Sequence, residues 1–123
     1  MKRIEIIETD SELGAGTRGA SLGIAALKLA SLKMNSNYFS RYQTKSISTE
    51  NQRLFEKEET PNARRIKGIC EVYSRISEQV NQTLLAGNFP LVLAADHASA
   101  GGTIAGIKKA FPEKRLGVVW IDA

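Results

Sequence analysis

The chain has 123 residues, enough for one domain with a modest core. Hydrophobic residues make up 42% and charged residues 24%, which excludes disordered and collagen-like classes. Seventeen Lys+Arg against 13 Asp+Glu give a net charge of +4, but acids and bases alternate, as in Glu56-Lys57-Glu58 and Glu113-Lys114-Arg115. The densest basic cluster, Arg64-Arg65 with Lys67, reads as a solvated helix face and not as a nucleic-acid patch. No apolar run approaches the roughly 18 residues of a membrane span. The opening MKRIEIIETD lacks the apolar core of an export signal, so the cytoplasm is the expected compartment. The single Cys70 excludes an internal disulfide, as a reducing compartment requires.

In chain order, residues 3–8 are β-branched and partly alternating, which predicts a strand. The glycine-rich stretch Leu13–Gly19 follows. From Ala20, apolar residues at Leu22, Ala25, Ala26, Leu29 and Leu32 predict a helix with one buried stripe. Residues 35–62 are polar and irregular, with a short strand expected near Gln43–Ser48. Ile66, Ile69, Cys70, Tyr73, Ile76, Val80 and Leu84 predict a second helix with Cys70 in its packed stripe, stopped by Gly87-Asn88. Pro90–Ala95 is a continuous apolar run, suited to a strand buried on both faces of a parallel sheet. Gly101-Gly102-Thr103 opens a short helix reaching Phe111, limited by Pro112. Gly117–Ile121 reads as another buried strand with Trp120 in the core, ending at Asp122.

Alternating strands and helices predict an α/β fold with a mostly parallel sheet, residues 101–111 serving as crossover between the last two strands. Parallel strands share a C-terminal edge, where open α/β sheets bind ligands. The two apolar strands would bring His97 and Asp122 to that edge. Imidazole plus carboxylate suits Mn²⁺, Fe²⁺ or Zn²⁺. Three or more protein ligands are normal, so two do not complete a site. A lone His after a strand is more often a hydrogen-bonded loop residue, and an Asp there is often a cap or turn former. The loop Gly14–Gly19 matches Gly-x-Gly-x-x-Gly, but Leu32–Ser40 holds no acid to meet a ribose, and no Walker lysine follows. Its glycines are read as a tight strand-to-helix turn.

Three segments carry a family resemblance. Leu13–Gly23 resembles the Leu-Gly-x-x-x-Arg-Gly-x-x-x-Gly loop of arginases. Leu93-Ala94-Ala95-Asp96-His97, with the helix after it, resembles their Gly-Gly-Asp-His-Ser segment. Leu116–Ala123 resembles the strand entering their Asp-Ala-His-x-Asp motif. The resemblance implies a three-layer α/β/α fold, represented by its N-terminal portion as one domain spanning residues 1–123. It also implies two Mn²⁺ ions bridged by a hydroxide that attacks a guanidinium carbon, turning arginine into ornithine and urea. His97 matches the first metal-binding histidine and Asp122 the aspartate that bridges both metals. At most two of the six family ligands are present, no substrate-binding residue is among them, and the chain is expected to be inactive alone. Ala95 and Ala98 stand where the family has glycine and serine. The implied partners are a small guanidino substrate and, for the complete protein, further copies of itself, with neither nucleic acid nor membrane. Agmatinase and formimidoylglutamase are close alternatives, though Thr17-Arg18-Gly19 is more arginase-like. From other classes, a nucleotide-binding domain using Gly14–Gly19 and a basic nucleic-acid module are the alternatives.

Overall fold

The structure is a computed structural model that describes residues 3–57 and 60–121. Its elements are β1 (Ile4–Thr9), α1 (Leu22–Lys33), β2 (Gln43–Ile47), α2 (Ile66–Leu85), β3 (Phe89–Ala94) and α3 (Ala100–Ala110). Three short 3-10 turns cover Tyr38–Arg41, Asn51–Phe55 and His97–Ser99. The sheet has the order β2-β1-β3, and both pairings are parallel.

Alternation along β1 sends Glu5, Ile7 and Thr9 to one face and Ile6 and Glu8 to the other. Ile7 packs against Val72, Ile76 and Val80 of α2, with Ile47, Val92 and Ile107 at the margin. Glu5 is buried on that face, where the Thr83 hydroxyl donates to its carboxylate at 2.7 Å. On the opposite face Glu8 pairs with Lys28 of α1 at 2.5 Å. Helices therefore cover both faces of a parallel sheet, giving the expected three layers.

The α3 helix lies on α2 through glycines. A Cβ on Gly102 would meet Ile76 at 2.9 Å, and one on Gly106 would meet the Ser77 carbonyl at 2.6 Å and Val80 at 2.7 Å. The sequence reading took Gly101-Gly102 as a helix start; they are also a contact face. The α2 helix stops where expected. Gly87 is left-handed (φ 78°), and the Asn88 N–H donates to the Thr83 carbonyl at 3.0 Å. None of the described helices is long and apolar enough to cross a membrane.

Four expectations need correction. The stripe predicted to bury α1 faces outward: Leu22, Leu29 and Leu32 are exposed, and Ile24 is the buried residue. Apolar side chains ring this helix, so the sequence defines no single face, and the Glu8–Lys28 pair marks the one the sheet takes. On α2, Cys70 is exposed and Val72 buried. Gly68 there lies so close to Leu13 and Arg53 that a Cβ would come within 2.8 Å of both, which turns this end of the helix toward Leu13. Arg65 is not on a helix face: it precedes α2 in a left-handed conformation (φ 57°) and donates to the Leu13 carbonyl at 3.4 Å.

The fourth correction is the largest. Residues 117–121 form no strand, and Val119 and Ile121 are almost fully exposed. A segment apolar on both faces needs a strand beside it and helices on either side. Here no described strand pairs with it. Among the described residues α3 is therefore no crossover between paired strands.

Candidate metal-site edge and the glycine loop

Parallel register places Thr9 opposite Ala94, so the loops after β1 and β3 leave the sheet at one edge. The ladder extends one step further, the Ala95 N–H donating to the Thr9 carbonyl at 3.1 Å. His97 follows two residues later and is exposed. Its ring meets Trp120 edge-on, with centroids 5.5 Å apart. Trp120 is thus half outside the protein and beside the imidazole, not in a strand core. An open cleft of about 540 Å³ adjoins His97, bounded by Val92 and Ala94 of β3, Thr103 and Ile104 of α3, and residues 118–120. Asp122, the other expected ligand, lies outside the described residues.

Asp96 organises the turn. One carboxylate oxygen, Oδ1, accepts from the Ser99 N–H at 3.1 Å and the Ser99 hydroxyl at 3.0 Å. The other, Oδ2, accepts from the Gly14 N–H at 2.9 Å. Asp-x-x-Ser after a strand carries a visible capping signal. The tie to Gly14 spans 82 residues and has none.

The glycine loop is built around Glu12, whose side chain is fully buried. It accepts from the Gly19 N–H at 2.7 Å and the Ser21 N–H at 2.9 Å, and pairs with Arg18 at 2.7 Å. Hydrogen bonds from the Ser21 main chain and hydroxyl hold its carboxyl below the ordinary value. Gly19 and the Arg18 charge add to the depression, against the opposing effect of burial. Asn51 braces the same loop, accepting from the Glu12 N–H and donating to the Asp10 carbonyl, both at 2.8 Å. The Asp10 carboxyl is pushed up, first by burial and then by Glu8 and Glu12, with Lys28 opposing. Gly16 and Gly19 take left-handed backbone (φ 72° and 115°), the conformation the tight-turn reading requires. Sequence reasoning passed over Glu12 and Asn51, because a buried carboxylate that caps a loop leaves no periodic signal.

Manganese takes imidazole and carboxylate donors, and His97 fits that set as one ligand. Asp96 does not add a second, since hydrogen bonds from Gly14 and Ser99 engage both its oxygens. No group of three or more His, Cys, Asp or Glu side chains that could hold a metal exists among the described residues.

The arginase from Bacillus caldovelox is 31% identical over 125 residues, covering 100% of this chain and 41% of that protein. The arginase from Brevibacillus brevis is 32% identical over 124 residues, covering 99% and 40%. The chain thus spans about two fifths of the length of the curated relatives it matches. The crystal structure of Bacillus caldovelox arginase superposes with a TM-score of 0.65 at 29% identity, over 89% of this chain and 37% of that one. Entamoeba histolytica arginase, solved in complex with L-ornithine, shares the fold at a TM-score of 0.73 and 23% identity, covering 100% and 42%. The profile of the Arginase family matches residues 2–123, and the chain belongs to the arginase family.

Proposed function

We propose that the chain supplies the first part of the metal centre of a manganese-dependent hydrolase that splits the guanidino C–N bond of arginine, giving ornithine and urea. The observation that carries this reading is His97 at the C-terminal edge of a parallel sheet, in a chain the arginase profile matches from residue 2 to residue 123. In this reading His97 would hold metal through an imidazole nitrogen and Asp122 through its carboxylate. Bound metal would supply a nucleophile by lowering the pKa of water. The chain's own residues present and shelter that edge. Asp96 closes the turn that carries His97. Glu12 fixes the glycine loop beside it. The cleft lined by Val92, Ala94 and Ile104 gives the edge an apolar flank. The cytoplasm, where arginine is available, is the compartment that suits this activity.

The test compares the 123-residue chain with the same chain carrying whatever its reading frame encodes past Ala123, each given Mn²⁺ and arginine. The extended protein should release urea and lose that activity on His97→Ala, while the 123-residue chain should release none. Urea release by the short chain near the extended protein's rate would overturn the split of the site. An extended protein that hydrolyses agmatine and spares arginine would overturn the substrate.

A further inference from the structure

We propose that Asp96 is a positioning residue for His97, holding the imidazole-bearing turn and the glycine loop as one rigid edge. A helix or turn cap needs one acceptor oxygen. Here Oδ1 alone does that work through Ser99, which is itself buried. Oδ2 is left to reach across to Gly14, in the loop after β1. The contact is tight. A Cβ on Gly14 would sit 2.4 Å from the Ala98 Cβ and 3.0 Å from Asp96 Oδ2. The residues immediately before and after His97 are therefore both held against Gly14, and His97 projects from a backbone fixed on either side. Ala98, which stands where a serine was expected, is one of these two contacts. A side chain fixed in this way loses little further freedom when it takes a ligand, as ligand-orienting contacts around metal sites do.

This inference rests on the metal-site reading only for its Mn²⁺ arm. The chain has one histidine, so its imidazole resonances need no assignment experiment. Without metal, the wild-type chain should give one sharp set, shifted by the Trp120 ring. Asp96→Ala should give a broadened or multiple set with that shift reduced. Asp96→Asn keeps an oxygen for Ser99 and should restore the spectrum in part. Gly14→Ala forces the loops apart while leaving the carboxylate in place, and should mimic Asp96→Ala. Circular dichroism selects the variants that keep the fold. An imidazole as sharp and as strongly ring-shifted as the wild type's, in a folded Asp96→Ala or Gly14→Ala variant, would overturn the proposal. In the Mn²⁺ arm, paramagnetic broadening of the imidazole should need about 10- to 100-fold more metal in Asp96→Ala than in wild type. Equal Mn²⁺ requirements in wild type and folded Asp96→Ala would overturn the positioning role, whereas the metal-site reading itself stands or falls with the urea test of the extended protein.

Discussion

Glu12 shows how one buried carboxylate can carry the pH response of a loop. Its pKa is depressed in the folded protein relative to an ordinary 4.5. A depressed acid stabilises the fold above its unfolded value, and that contribution disappears as pH falls through the depressed value. Glu12→Gln should therefore lower the melting temperature at neutral pH. The gap to wild type should narrow as pH drops below about 4.5, the unfolded value. Thermal melts of both proteins across pH 3 to 7 would measure it, and a gap that widens toward low pH would contradict the assignment. At this scale the sequence showed residues whose meaning is local. His97 stood out because an apolar run ends just before it. The Asp96 tie to Gly14 was invisible, because nothing in either segment marks a partner 82 residues away. Cys70 and Trp120 were misjudged for the same reason: each sits in an apolar pattern, and only the neighbouring elements determine which face is covered.

At the scale of elements, periodicity found every helix and strand of the sheet but did not fix helix rotation. Ile76 and Val80 belong both to the expected α2 stripe and to the observed core, whereas the start of that helix is turned by its contact with Leu13. Ile76 is fully buried at the centre of the core, so Ile76→Ala should cost about 2–5 kcal/mol in a denaturant titration. The α2–α3 contact depends on missing side chains. Gly106→Ala would push a methyl onto the Ser77 carbonyl and Val80. Overpacking of this kind costs about 1–3 kcal/mol, and here it should outweigh the gain in helix propensity from alanine, under about 1 kcal/mol. A Gly106→Ala variant as stable as wild type would show that α3 can slide on α2. The segment 117–121 was legible as a strand in composition alone. Composition reports what a strand would bury, not whether a neighbour is there to pair with it.

The whole molecule has two unlike sheet edges. The β2 edge is short and polar, Gln43-Thr44-Lys45-Ser46-Ile47, as protected edges usually are. The β3 edge is Phe89-Pro90-Leu91-Val92-Leu93-Ala94, apolar on both faces, and among the described residues nothing pairs with its outer side. The 123-residue chain should therefore self-associate through β3. Sedimentation velocity should show concentration-dependent growth that Leu93→Lys reduces, since a charge on such an edge opposes pairing. Equal association of the two proteins would place the contact elsewhere. The sheet order also governs how the chain must be assembled during synthesis. The central strand, β1, is made before both of its neighbours, which arrive at residues 43–47 and 89–94. Its three isoleucines can gain one flank once residues 43–47 are made, but the other stays open until residues 89–94 follow. The helix that closes over Ile7 emerges between those two strands, so it meets a sheet that still lacks β3. Until then the nascent form keeps one side of an apolar strand unpaired, a surface for whatever chaperone stands at the tunnel exit.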